Sequence, residues 1–465
     1  MHRDDTGIQI VQVNLQADRG GDGRIVSTLH RKYREVGYPA RLFVGRGSVT
    51  QHGEALIPND RYRPPLARAV RALASTRPRD PMLRRLLHWM AEPRRRWRIH
   101  EGFEDFEFPA TLPFLSDALR GSPAILHLHN LHGGYFDLRA LPALNRLAPI
   151  VLTLHDEWTY TGHCAHSSSP DRWTHGCGSC PDLTTYPAIP KDRTAQNFDL
   201  KRRIFAQTRI HLTTPSQWLM ERAQRSLLSP AIEEARVIRN GIDTDVFHSG
   251  DAEEDRLRLD LPRGTKILLC AGSIARSNQW MSRSFVRSAV EQLGRLDVDT
   301  AVVFVGSGET AVSYKNGTRV YHRPFERDVL RMASYYRAAD AYLHAALADN
   351  FPTAVLESLA CGTPVIATDV GGIPEQVNSL WRSPRAAAFS EDSATGVLLA
   401  PADQAGLCRA IEALFADDRL RARLTENAAK SAMSFAVARQ VDETLAWYHE
   451  ILSRPDTRIR SRSSA

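Results

Sequence analysis

Two carboxylates, Asp349 and Glu357, stand in the stretch A-Y-L-H-A-A-L-A-D-N-F-P-T-A-V-L-E-S-L-A-C-G-T-P-V-I-A-T-D-V-G-G-I-P-E-Q-V, residues 341–377. Their surroundings suit ligand binding. An apolar run ends at Ala348, and a polar turn, Asp349-Asn350-Phe351-Pro352-Thr353, follows. Ala354 to Ala360 reads as a helix with Val355, Leu356 and Leu359 on one side. Cys361-Gly362-Thr363-Pro364 stops it, because glycine fits a left-handed helix end and proline cannot continue. Val365 to Thr368 is then a short buried strand, and Gly371-Gly372 a turn where backbone can approach a ligand closely. Strand, turn, helix, strand and glycine turn in this order place both carboxylates at the ligand-binding edge of a parallel sheet.

Other groups could also do chemistry. His155 opens the polar run His155-Asp156-Glu157-Trp158 just beyond an apolar strand; a histidine there packs, caps or touches a ligand. Cys164, Cys177 and Cys180 follow a C-x12-C-x-x-C spacing, with His163, His166 and His175 nearby. Three thiolates and one imidazole could hold a structural zinc, and a metal-free loop cluster reads the same spacing equally well.

The elements that must position these groups alternate along the chain. Ile8 to Val13 is a first strand, Asn14 to Gly23 a loop carrying Gly20-Gly21, and Arg24 to Val36 a helix with Ile25, Leu29, Tyr33 and Val36 on one face. Arg41 to Gly45, Ala124 to His129, Ile150 to Leu154 and Ile210 to Thr214 continue the strand series, and Ser216 is a candidate N-cap. A second series begins with Lys266 to Ser273 and continues with Thr300 to Gly308 and Val320 to Phe325. Helices are expected over Leu330–Ala339, Ala405–Phe415 and Leu420–Met433, with a last one marked by Val441, Leu445, Tyr448 and Leu452. Residues 61–99 read as an Arg-rich helical insertion with Leu83, Leu86, Leu87 and Met90 on its apolar side, and 381–394 as a surface insertion.

The 341–377 stretch resembles the donor-binding motif of the family 4 retaining glycosyltransferases of the GT-B fold. That family's pattern is Glu-x7-Glu within Glu-Gly-Phe-Gly-Leu-Pro-x-x-Glu, then Ala-x-Gly-x-Pro-Val-Ile-Ala and Gly-Gly-x-x-Glu. Asp349 stands at the first acidic position and Glu357 at the second. The Asp-Asn-Phe-Pro turn is similar to that of a subgroup acting in bacterial exopolysaccharide assembly. The resemblance implies roles. Glu357 would bond the ribose hydroxyls of a nucleotide-sugar donor. Asp349 and the backbone of Asn350, Phe351, Pro352 and Thr353 would hold the sugar ring. His155 would support the reacting sugar from the N-terminal domain, and Gly20-Gly21 would let backbone approach the donor phosphates and the acceptor. The chain also departs from the pattern. The family follows the first strand of its second domain with an Arg and a Lys that clamp the diphosphate. Here Ser273 to Arg283 holds no Arg-Lys-Gly triplet, and Arg276 and Arg283 are the cations available, as substitutes or as plain surface. The subgroup also has a further Cys where Pro170 stands here.

At 465 residues, with 43% hydrophobic and 24% charged content, the chain has the composition of a multi-domain globular protein. No apolar run approaches the ~20 residues that span a bilayer. Met1-His2-Arg3-Asp4-Asp5 leads into a strand rather than a signal sequence, so a cytoplasmic protein is expected. The net charge of +7 is uneven: twelve arginines fall between Arg61 and Arg98 against Asp80 and Glu92, and the tail from Arg454 is basic. Such runs are solvated surface, or contacts to an anionic membrane or lipid phosphate; no nucleic-acid motif accompanies them.

The expectation is an α/β protein of the GT-B fold, with two doubly wound Rossmann-like domains facing a cleft. Residues 1–245 would form the acceptor-side domain, with the insertion near 60–100, and 246–435 the nucleotide-sugar domain. A helix over 436–453 would cross back to the first domain, and the basic tail 454–465 would be disordered. The function expected is retaining transfer of a hexose from a nucleotide sugar to a saccharide or lipid-linked acceptor in polysaccharide biosynthesis. It would need no catalytic metal, and would be cytoplasmic or peripheral at the inner membrane face. The rival is a non-catalytic GT-B scaffold that binds a nucleotide sugar or a partner transferase. A nucleotide-dependent dehydrogenase or epimerase ranks below both, since no G-x-G-x-x-G fingerprint with a ribose acid beyond follows the first strand.

Overall fold

Short apolar runs without alternation are what strands buried on both faces require, and they form two parallel sheets in a computed structural model of the chain. The structure describes residues 7–17, 20–49, 51–76, 80–121, 123–167, 171–272 and 280–454. Arg276 and the tail from 455 onward lie outside these residues.

Two units are distinguished. The first takes in the chain up to Pro215, Leu219–Ile238 and the chain from Val441; the second takes in Ser216–Trp218 and Arg239–Gln440. The division after Ile238 falls before the 245/246 border expected from the sequence.

The first unit's strands are β1 (Gln9–Asn14), β2 (Ala40–Val44), β3 (Glu54–Leu56), β4 (Ala124–Leu128), β5 (Ile150–Thr153), β6 (Ile210–Thr214) and β7 (Ile232–Val237). They lie in the order β3-β2-β1-β4-β5-β6-β7, every pair parallel. The order reverses between β1 and β4, which makes the loops leaving those two strands the place for a ligand. The second unit has β8 (Lys266–Ala271), β9 (Thr300–Val305), β10 (Ala311–Lys315), β11 (Thr318–Arg323), β12 (Ala341–His344), β13 (Val365–Thr368) and β14 (Gly396–Leu399). Their order is β10-β11-β9-β8-β12-β13-β14, and only β10, antiparallel to β11, breaks the parallel pattern. Here the reversal falls between β8 and β12. Leu269, Val303, Tyr342, Leu356 and Leu359 pack on one side of this sheet, and Leu268, Val302, Leu343, Ile366 and Leu407 on the other.

Three expectations change. The first helix runs Gly20–Glu35, so Gly20 and Gly21 form its first turn rather than part of a loop. Glycines carry no apolar side chain, so periodicity could not show them as helical. The Arg-rich insertion is three helices, Pro65–Ser75, Pro81–Ala91 and Pro93–His100, each opened by a proline whose fixed φ suits a first helical position. Its arginines are not all solvated: Arg63 and Arg95 are buried and paired with Glu92, and Arg95 also with Asp105 at 2.6 Å. The third change is the β10–β11 hairpin, which turns at Asn316 and Gly317, both with positive φ. The 381–394 segment is exposed for most of its length, as expected, although Ser383 is buried and donates to Asp369 at 2.7 Å.

Candidate functional site

At the reversal point of the second sheet, β12 leads through Ala345 and Ala346 to the turn that begins at Asp349. The segment Trp280–Ser282 bridges antiparallel to Ala345–Leu347, with Ser282 N donating to Ala345 O at 2.8 Å and Leu347 N to Trp280 O at 2.7 Å. This carries Arg283, exposed at the start of the Arg283–Leu293 helix, to the same sheet edge as Asp349.

Asp349 is part-exposed, and its carboxylate lies 3.3 Å from His344 Nε2. His344 Nδ1 is 3.0 Å from the Tyr342 hydroxyl. Burial, and then the charge of Glu357, hold the Tyr342 phenol well above its usual range, so it is a neutral donor. The tautomer that satisfies both contacts has Tyr342 O–H donating to Nδ1 and Nε2–H donating to Asp349. His344, which sequence reasoning passed over, therefore orients the first acid. It sits in an apolar strand, where a histidine reads as packing.

The next residues are fixed by backbone. Asn350 is buried and accepts from Ser216 Oγ at 2.6 Å; Gly372 N donates to Asn350 O at 2.8 Å. A Cβ at Gly371, where φ is +58°, would lie 1.6 Å from the Asp349 carbonyl oxygen, and one at Gly372 2.2 Å from that of Asn350. Glycine is thus required for the close approach, as the turn's sequence implied. Phe351 is buried against Phe435, its carbonyl within 3.5 Å of Asn240 Nδ2, and Pro352 O accepts from Gln376 at 3.0 Å. Thr353 opens the Thr353–Ala360 helix, and Pro352 brings no capping side chain, so the first amides face the sheet edge with the positive end of the helix dipole. Glu357 in the second turn is buried and accepts from the Tyr336 hydroxyl at 2.9 Å.

The first sheet's reversal point is built from imidazoles. Asn14 at the end of β1 donates to Asp22 at 3.2 Å, accepts from Asn130 N at 3.1 Å, and so ties the Gly20-Gly21-Asp22 turn to the loop after β4. His129 Nδ1 lies 3.1 Å from His155 Nε2, with the rings stacked at 5.4 Å. Burial lowers His155 despite the carboxylates of Asp22 and Asp156. Burial also pushes His129 well below its usual value, and His127 down to about 3. His127 is held between Thr153 Oγ1 at 2.6 Å and the Tyr448 hydroxyl at 2.5 Å. His132 differs: Asp156, 2.8 Å away, outweighs burial and raises it.

Beneath the His155 loop lies a buried pair that the sequence did not reveal. Lys201 Nζ contacts Glu104 Oε1 at 3.0 Å and the carbonyls of Trp158 and Thr161 at 2.7 and 3.1 Å, and lies 3.7 Å from the Trp158 ring centre. Burial lowers Lys201 and raises Glu104.

Cys164, Cys177, Cys180 and His163 line one cavity of about 100 Å³. Cys180 Sγ is 3.5 Å from His163 Nε2, and burial raises all three thiols, Cys164 to about 12. Among the described residues no three His, Cys, Asp or Glu side chains come together as a metal site, so the zinc reading is not carried into the function proposed below.

Against known proteins, residues 251–431 match the model of the glycosyl transferases group 1 family. The matched residues lie within the second unit. The chain is 25% identical over 377 residues to the putative colanic acid biosynthesis glycosyl transferase WcaC of Escherichia coli, covering 78% of this chain and 83% of that one. Several D-inositol 3-phosphate glycosyltransferases are matched over about half of their length. Among solved structures, sucrose-phosphate synthase from Thermosynechococcus elongatus superposes with a TM-score of 0.62 at 16% identity, over 96% of this chain and 99% of that one. Anabaena HepE in complex with UDP and glucose gives 0.58 at 14%, over 94% and 99%. The match over 251–431, the similarity to WcaC and these folds bear out the GT-B fold and the resemblance stated from the sequence.

Proposed function

We propose that the chain is a retaining glycosyltransferase that moves a hexose from a nucleotide sugar to a hydroxyl of a saccharide or lipid-linked acceptor in polysaccharide assembly, forming an α-linkage. The observation that carries this reading is the reversal point between β8 and β12. There a carboxylate oriented by His344, a glycine-backed turn, an uncapped helix start and the buried Glu357 lie along one short stretch of chain. Its sequence pattern, the kinship with WcaC and the UDP of HepE all point to a sugar nucleotide as the ligand.

In this reading Glu357 takes the ribose hydroxyls, while Asp349 and the backbone of 350–353 hold the sugar. Charge grows on the diphosphate as the glycosidic bond breaks. The helix start at Thr353 and the guanidinium of Arg283, with Arg276 as a further cation of the same stretch, stabilise it without a metal. Gly20 and Gly21 leave room for the donor phosphates, and His155, neutral at ordinary pH, offers the reacting sugar a hydrogen bond without a charge.

Incubation with a panel of nucleotide sugars, UDP-glucose first, followed by mass spectrometry and anomeric NMR, tests the reading. A hexosyl product that keeps the donor's α configuration is expected. The lack of an Arg-Lys-Gly triplet between Ser273 and Arg283 favours a second reading, a scaffold that binds nucleotide sugar without turnover. Tight UDP binding with neither transfer nor donor hydrolysis across the panel would select it.

A further inference from the structure

The three helices between residues 65 and 100 lie in the first unit, and the reaction proposed above gives them no part. The first two form a hairpin, packed on each other through small and apolar side chains, of which Ala67, Ala74 and Leu87 are buried. Glu92 and Asp60 then neutralise the arginines nearest the base: Arg63 pairs with both, as does Arg71, and Arg95 pairs with Glu92.

The outward side carries two kinds of side chain that rarely share a surface. Leu66, Leu73, Met82, Leu86 and Met90 are between 49 and 82% exposed. On their helices they share a face, Leu66 and Leu73 at i and i+7 with the exposed Ala69 between them at i+3 in the first, and Met82, Leu86 and Met90 at i, i+4 and i+8 in the second. Arg68, Arg84, Arg85 and Arg94 are exposed and make no ion pair among the described residues. The one exposed acid on these helices or their caps is Asp80, which caps the second helix through Leu83 N at 2.9 Å.

We infer that this outward side docks on an anionic lipid bilayer. A bilayer surface offers both partners the helices lack: an acyl boundary for the leucines and methionines, and headgroup phosphates for the guanidiniums, which also coat apolar surface with their stems. The other occupants fit less well. A second copy would set arginine against arginine, and a nucleic acid would leave the apolar stripes unmatched. No helix among the described residues is long and apolar enough to cross a membrane, so the contact is with the surface. The inference does not depend on the proposed reaction.

Flotation of the full chain with vesicles tests it. Phosphatidylcholine alone should recover little protein. Mixing in phosphatidylglycerol should recover much more, and raised salt should reverse the gain. Arg84→Glu with Arg85→Glu should weaken partition to the anionic vesicles by roughly tenfold or more. Leu86→Ser with Met90→Ser should weaken it at low salt as well, and unchanged thermal melting would show that both variants are folded. Three outcomes overturn the inference: equal flotation with both vesicle types or with neither, double variants that float like the wild type, and concentration-dependent dimerisation lost in the same variants, which would assign the surface to a second copy.

Discussion

At the reversal point of the first sheet, side chains hold one another. His129 meets His155, His132 meets Asp156, Asn14 ties two loops, and the Lys201–Glu104 pair supports the floor. At the second, backbone does most of the holding, through the contact of Gly371 and Gly372 with the carbonyls of Asp349 and Asn350. The same topology is thus finished in two ways. Side-chain networks buried in low dielectric carry titratable groups away from their usual values, whereas a glycine-backed turn is sensitive to volume. The two regions should therefore break under different insults, and hydrogen exchange read peptide by peptide can tell which one opens.

The largest effect is expected from Lys201→Met. It leaves Glu104 buried without its cation, which destabilises by about 3–5 kcal/mol. Exchange should rise around 155–161 and 100–106 and stay unchanged at 349–372. A uniform rise over both regions would mean that the pair supports the whole chain rather than its own loop.

Gly371→Ala should do the reverse. An alanine there meets the Asp349 carbonyl and must hold a positive φ, at a combined cost of about 3 kcal/mol. The 349–372 segment should lose protection and donor-nucleotide binding should disappear, with the histidine cluster unaffected. Retained UDP affinity in this variant would show that the turn's backbone does not shape the donor site.

Acid should separate the regions next. His127, His129 and His155 have folded values held below 6.5. Above that pH both folded and unfolded chains are neutral there, and the stability is fully present. As pH falls, the unfolded chain takes up protons that the folded one refuses, and stability is lost, for His127 down to about pH 3. At about pH 5 this amounts to about 2 kcal/mol for His127 alone. His132, raised by Asp156, works the other way: it adds stability below 6.5 that is lost as pH rises through its folded value. Three against one predicts that the first region opens before the second between roughly pH 6.5 and 5. A first region as protected at pH 5 as at pH 7, or opening after 349–372, would contradict this assignment.

The two regions were also unequally legible. The second could be read almost residue by residue, because its helix, glycine turn and strand are consecutive: Val365–Thr368 is a strand as expected, and the helix begins one residue early at Thr353. The parallel strands Lys266–Ala271 and Thr300–Val305 were legible for a related reason, since burial on both faces leaves unbroken apolar runs. The first region is assembled over long separations. Glu104 and Lys201 are 97 residues apart, and His127 and Tyr448 are 321 apart, so no local pattern announces either contact. Strand β10 is exposed throughout, so no core contact marks it, and the Val312-Ser313-Tyr314-Lys315 alternation running into the Asn316-Gly317 turn was the signal that could have revealed it.

The claim that matters most is that the second region binds the donor through Glu357, and calorimetric titration of UDP into wild type and Glu357→Gln tests it directly. Glutamine keeps the volume and can still accept from Tyr336, so the melting temperature should hold. Replacing charge-assisted bonds to the ribose by neutral ones should weaken binding by about 1.5–3 kcal/mol, roughly ten- to a hundredfold. Equal affinity of the two proteins for UDP would contradict the account.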